Sequence, residues 1–183
     1  MNVLRNVINI NRLVIVLAMV LVVGVPFGSA TDITWTAKAS GVVLVPNSAT
    51  PFTGLLHGKS KQLGGNLTAA FSAETTGPTT GTCPIDGNPG QLVSTLVSGL
   101  NITRFNNNDF FVSRFDSGTF CFDPVTGTFK NTVDGTVTGG TGAFSDASGP
   151  YTATSSGQLL GLDSDGNVIY SITSSITGTI TIP

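Results

Sequence analysis

The chain has 183 residues and a formal net charge of −2, and only 10% of its residues are charged. No basic stretch with interleaved aromatic residues is present, so nucleic acid is excluded as a partner. The single His, His57, excludes a metal site built on two or three His side chains and leaves no Ser-His-Asp set.

The first thirty residues predict a signal peptide. Arg5 and Arg12 precede an uninterrupted apolar run at 13–25, and the small residues Gly-Ser-Ala follow at 28–30. The run of about 13 residues is shorter than the roughly 20 that span a membrane. We therefore expect cleavage after Ala30, with a retained N-terminal anchor as the alternative. The prediction is one secreted or periplasmic domain, 31–183, with no membrane association once the signal is removed.

Alternating apolar and polar residues dominate the rest of the chain. In 168–182, for example, Ile172, Ile176 and Ile180 share one parity, and Thr and Ser fill the other from 171 onwards. Only a strand places alternate residues on opposite faces. Eight strands are predicted, near 33–45, 52–61, 67–73, 92–105, 110–122, 125–139, 151–160 and 168–182.

The connection at 75–90, TTGPTTGTCPIDGNPG, is the one long irregular stretch. It predicts either a lid-like loop or a poorly ordered one that Cys83 pins down. Cys83 and Cys121 are the only cysteines of a chain predicted to be exported, so we expect a disulfide between them. Two buried free thiols are the alternative.

The stretch 136–149, TVTGGTGAFSDASG, comes close to the Gly-x-Gly-x-x-Gly pattern of dinucleotide-binding loops. Such a loop must lead into a helix, and Gly149-Pro150 stops any helix here. We instead predict a turn at the end of a barrel, with Phe144 folded back as a plug. Its residues are Gly139, Gly140, Gly142, Phe144 and Gly149.

No cofactor and no metal site are predicted. The segment 163–167, DSDGN, is interpreted as a turn, with a weak calcium site as the alternative.

Strands without helices predict an antiparallel barrel or sandwich. Glycines at inward positions, such as Gly135 and Gly178, favour a barrel, because closing a sheet needs bends. We expect a bend near Gly178. A barrel of about eight strands has a lumen wide enough for side chains or one small ligand.

Asn131 lies on the apolar parity between Phe129 and Val133. An inward polar group must be hydrogen-bonded or face water or ligand, and both interpretations stay open. Tyr151 and Tyr170 share this ambiguity. In a ligand-binding lumen these polar groups would orient a ligand among aromatic residues; the candidate site is Asn131, Tyr151, Tyr170, Trp35 and Phe129. Arg114 is either a luminal or a surface charge, and His57 is expected on the surface.

The glycine-rich turn resembles a segment of plant allene oxide cyclases and dirigent proteins. The strands rich in Gly and Thr, with a last strand such as 176–180, ITGTI, resemble those of small secreted, mostly bacterial β-barrel proteins. The matching residues of the turn are Thr138, Gly139, Gly140, Thr141, Gly142, Phe144, Ala147 and Gly149. The resemblance implies an eight-stranded, calycin-like barrel of the allene oxide cyclase type. It also implies an apolar lumen that encloses a reactive apolar intermediate and steers its cyclisation or coupling. The catalytic residues of those families lie outside this turn, so none is transferred.

Two functions follow as expectations. The first is a secreted barrel that binds a small apolar molecule, with cyclase- or dirigent-like steering, and it predicts a cavity of roughly 300 Å³ or more. The alternative is a non-catalytic structural or self-associating extracellular module, a homo-oligomer with a solid core. A true enzyme ranks third, because no constellation of activated groups can be named.

Overall fold

The computed structural model of the chain describes residues 29–46 and 51–183. The predicted signal peptide, 1–30, lies outside these residues except for its last two positions. Within the described ranges, no helix is long and apolar enough to span a bilayer.

The described residues form nine strands and one short 3-10 helix, Gly142–Phe144. The strands alternate buried and exposed side chains, as their sequence pattern predicts. They are β1 Thr31–Val45, β2 Phe52–Ser60, β3 Gly65–Thr75, β4 Thr79–Gly81, β5 Gln91–Phe105, β6 Phe110–Asp123, β7 Thr128–Gly140, β8 Gly149–Leu162 and β9 Val168–Ile182.

Eight of these strands close into an antiparallel barrel, which confirms the predicted fold class. Each of the eight pairs with the next one along the chain, so β3 pairs with β5. The pairing of β9 with β1 closes the barrel. The short β4 pairs only with the start of β5. All eight predicted strands are present, and β4, which lies inside the predicted irregular stretch, is the addition.

Several inward glycines leave room for an aromatic ring on the neighbouring strand. Gly178 pairs with Trp35, and Gly135 pairs with Tyr151. A Cβ atom on Gly135 would lie 2.5 Å from the tyrosine ring. The expected bend near Gly178 is not accompanied by any change of pairing, because β9 keeps its register with β1 through this position. The register shifts instead fall elsewhere: in β3 at Glu74/Thr75, in β6 at Val112/Ser113 and Phe115/Ser117, and in β8 at Leu159/Gly161.

Three phenylalanines close one end of the barrel and are called the aromatic plug: Phe105, Phe111 and Phe144. Phe144 comes from the 3-10 helix between β7 and β8, and its ring stacks 4.9 Å from that of Phe105. The ring of Phe111 packs edge-on against Phe144 at 5.8 Å. The backbone approaches Asp109 closely at Gly142, whose φ of 56° also favours glycine. The other turn glycines, Gly139, Gly140 and Gly149, flank this helix.

Cys83 and Cys121 form a disulfide, which confirms the predicted bond. It fixes the connection between β4 and β5, residues 82–90, against the outer side of β6 and β7. Nζ of Lys130 on β7 lies 2.7 Å from Oδ2 of Asp86 in the same connection. The hydrogen bond from Lys130 lowers the pKa of the Asp86 carboxyl. This connection therefore contacts the outer wall of the barrel.

Candidate functional site

A cavity of about 670 Å³ occupies the lumen of the barrel. Eleven of the fourteen aromatic residues of the chain line it, so the sequence concentrates its aromatic side chains on this one surface. No Asp, Glu, Lys, Arg or His is among the described residues of its lining. The aromatic lining consists of Trp35, Phe52, Phe71, Phe105, Phe111, Phe115, Phe120, Phe122, Phe129, Tyr151 and Tyr170.

The cavity opens at the end of the barrel opposite the aromatic plug. The plug residues are almost fully buried. At the other end, the lining includes the exposed Gly77 and Pro78 and the half-buried Phe122 and Tyr170. Among the described residues, the β3–β4 connection and the start of β9 therefore border the mouth of the cavity.

The five residues of the predicted ligand site all line this cavity. Trp35 and Tyr151 both pair with Gly178, close to the plug, and their rings lie 6.3 Å apart. Phe129 and Tyr170 lie towards the mouth, with ring centroids 5.5 Å apart. Asn131 lies between these two levels.

Two polar atoms of the lining are buried without a hydrogen-bond partner among the described residues: Oδ1 of Asn131 and Nε1 of Trp35. Asn131 is 7% exposed and Trp35 is 3% exposed. A buried polar group without a partner costs on the order of 1–3 kcal/mol. Among the described residues, the lining thus includes a fully buried acceptor and a fully buried donor that are both unpaired.

Asn131 belongs to a row of polar side chains across three strands, the polar row Asn131, Ser155 and Ser174. Asn131 pairs with Ser155, which pairs with Ser174. The two serine hydroxyls lie 2.5 Å apart and satisfy each other. The serines were not predicted as site residues. Their inward parity, for Ser174 between Ile172 and Ile176, is the signal that could have found them.

A second polar cluster lies nearer the plug and is satisfied internally. The Tyr151 hydroxyl lies 3.2 Å from Oγ of Ser113. Nδ2 of Asn101 donates to Ser113 and to Thr103, at 3.2 and 3.0 Å. Burial raises the pKa of Tyr151 to about 12. Tyr151 is therefore a neutral phenol at physiological pH.

The two remaining candidates lie on the outer wall. The exposed Arg114 pairs with Asp116, Nε to Oδ1 at 2.6 Å, so the surface alternative holds. His57 contacts Oγ1 of Thr68 at 3.1 Å and is exposed, as expected.

The segment 163–167 has the geometry of a turn. The Asp163 carboxylate accepts hydrogen bonds from the backbone amides of Asp165 and Asn167.

Comparison of the chain with protein-family models, with curated proteins and with solved structures finds no match. The function is therefore argued from the lumen itself. The disulfide between Cys83 and Cys121 indicates a protein that folds in an oxidising environment.

Proposed function

We propose that this protein is a small secreted β-barrel that binds a small apolar molecule in its lumen. The observation that carries the proposal is the aromatic cavity of about 670 Å³ with the unpartnered Oδ1 of Asn131 inside it. Ligand sites are typically apolar cavities of about 300–1,000 Å³ with a few placed polar groups. A ligand that donates a hydrogen bond to Asn131 removes the cost of the buried acceptor.

The lining also favours a particular ligand chemistry. Its uncharged, aromatic walls suit a neutral molecule with a flat or branched apolar body. A hydroxyl or amide N–H would meet Asn131, and an acceptor would meet Nε1 of Trp35. Trp35 is linked through Gly178 and Tyr151 to Gly135, which is four residues from Asn131, a rise of roughly 13 Å along β7.

The proposed location is outside the cytoplasm, secreted or periplasmic. The apolar run at 13–25 and the small residues at 28–30 support it, and the disulfide agrees with it. The proposal includes the steering of a reactive apolar intermediate, which the resemblance to allene oxide cyclases and dirigent proteins implies. What supports this extension is the shape of an enclosed aromatic lumen; no catalytic residue is assigned.

The single tryptophan provides the test, because Trp35 lines the lumen. We expect saturable energy transfer from Trp35 to the neutral probe N-phenyl-1-naphthylamine. Ala39→Phe, opposite Ser174 of the polar row, fills the lumen and should abolish the transfer. Ser40→Phe, the next residue and outward-facing, is the matched control and should retain it. Equal binding by both variants would refute a luminal site.

A second candidate, a self-associating module, is favoured by an apolar band on the outer wall. Val42 pairs with Leu55, which pairs with Ala70, which pairs with Ile102. Val42, Leu55 and Ile102 are each more than 40% exposed. If this band forms a homo-oligomer, light scattering will show a concentration-dependent mass that Leu55→Ser lowers. A constant monomer mass would rule this candidate out.

A further inference from the structure

The basic residues of 31–183 are distributed unevenly over the outer wall. Arg114 and Lys130 each form an ion pair, at 2.6 and 2.7 Å. Lys38, Lys59, Lys61 and Arg104 form none in the described part of the chain. Lys61 follows β2, and the other three share the outer wall of β1, β2 and β5 with the only His.

The strand register brings these cations together. Lys38 pairs directly with Lys59 across β1 and β2. His57 pairs with Thr68 on β3, and Thr68 pairs with Arg104 on β5. Like charges directly opposite each other destabilise a sheet, and within 29–46 and 51–183 no ion pair joins these cations to an acidic side chain. A local violation without compensation is typical of a functional site.

A second cavity, an open surface pocket of about 610 Å³, lies at this position on the outer wall. His57, Lys59 and Arg104 line it together with three asparagines, Asn66, Asn106 and Asn108, and no Asp or Glu is among the described residues of its lining. The exposed Arg104 guanidinium donates a hydrogen bond to the side-chain oxygen of Asn108. The cavity therefore presents a guanidinium, an ammonium and several amide donors.

We propose that this outer cavity binds a small polyanion that carries phosphate or sulfate groups. Arg104 matches two oxygens of such a group with its planar donors, and Lys59 supplies a compact positive charge. The charged side chains face outward from the strands whose inward side chains line the lumen, and the buried Leu67 and Phe105 line both cavities. Overall charge does not explain the binding, because six basic and ten acidic residues give 31–183 a net charge of −4.

Calorimetric titration of the protein with inorganic pyrophosphate and with a sulfated disaccharide tests the site. We expect saturable binding of at least one of them that weakens as sodium chloride is raised. Arg104→Gln and Lys59→Gln should each weaken it about tenfold, as for the loss of one charge-assisted hydrogen bond. Lys130→Gln and Arg114→Gln remove the same charge elsewhere and should leave it within about twofold.

The two probes separate the possible sources of the anion. Tighter binding of pyrophosphate assigns a phosphate ligand, and tighter binding of the disaccharide assigns a sulfated sugar; either result supports the site. Thermal melting of each variant verifies that it is folded. Absence of saturation with both probes, or equal weakening by the two pairs of variants, would overturn the proposal.

Discussion

Asn131 shows at the scale of one residue how the lumen differs from an ordinary core. Its Oδ1 is buried and has no partner among the described residues, whereas the neighbouring serines of the polar row bond to each other. Most buried polar groups in proteins are paired. The parity of the sequence predicted that Asn131 points inward, but only the positions of the adjacent strands show that its acceptor is unused.

Replacing this acceptor should not harm the fold. We expect Asn131→Leu to leave the free energy of unfolding of the ligand-free protein unchanged or to raise it by about 1 kcal/mol, because an unpaired buried group is removed. Asn101→Leu, the matched control, removes hydrogen bonds to Thr103 and Ser113 and should lower it by about 1–3 kcal/mol. Urea denaturation measures both. A loss for Asn131→Leu as large as that of the control would show a structural asparagine.

Tyr151 should make stability depend on alkaline pH. Burial raises its pKa in the folded state to about 12, above the value of 10.0 for an exposed phenol. The unfolded chain therefore loses the proton first, so this contribution is fully present below pH 10 and is lost as pH rises towards 12. Between pH 9 and 11 we expect a loss of about 1.4 kcal/mol.

Tyr151→Phe isolates this contribution in urea denaturation at the two pH values. The variant lacks the phenol and should lose less stability over the interval, by the same amount. Tyr170, whose pKa burial also raises, remains in both proteins and cancels in the difference. Identical pH profiles would contradict a buried, neutral Tyr151.

At the scale of the strands, the inward glycines determine where the aromatic rings lie. A Cβ atom on Gly135 would meet the Tyr151 ring and the Arg114 carbonyl oxygen. We expect Gly135→Ala to lower the free energy of unfolding by about 1–3 kcal/mol, as overpacking does. Gly81→Ala, in β4, has no atom within 4 Å of the new Cβ and should cost less. Thermal melting compares them; equal effects would show that Gly135 does not accommodate the ring.

The disulfide joins the β4–β5 connection to β6 and should stabilise the barrel through the unfolded state. For cysteines 38 residues apart, the chain-entropy model gives about 4 kcal/mol. We expect urea denaturation to show this loss in Cys83→Ala/Cys121→Ala. Lys130→Gln removes only the ion pair to the same connection and should have a smaller effect. An unchanged free energy of unfolding in the double variant would show that the disulfide does not stabilise the barrel.

The sequence predicted the strands well and the details of their pairing poorly. Strand β9 was predicted with its observed bounds, 168–182, because its parity is uninterrupted. The registers between strands could not be predicted, since nothing local specifies which residues of two neighbouring strands lie opposite each other. The register shifts and β4 were not predicted for the same reason, because both depend on the neighbouring strand. Glycine parity indicated a barrel, although these glycines act by giving space to rings.

On the scale of the whole molecule, the inner and outer surfaces of the barrel wall carry different kinds of side chain. Its inner surface is aromatic and uncharged among the described residues, with a few hydroxyl and amide groups. Its outer surface carries two ion pairs, the outer cavity lined by basic side chains, and an apolar band. The predicted site residues all came to lie in one lumen, because inward parity alone selects it. The size of that lumen could not be predicted, since it depends on how the rings pack against one another.

The most direct test of luminal binding is native mass spectrometry of the protein purified from its own source. We expect a non-covalent adduct of a small neutral molecule, released on denaturation and absent from Ala39→Phe expressed in the same way. Ser40→Phe should retain the adduct. A protein that carries no adduct and takes up no neutral apolar compound on titration would contradict a ligand-binding lumen.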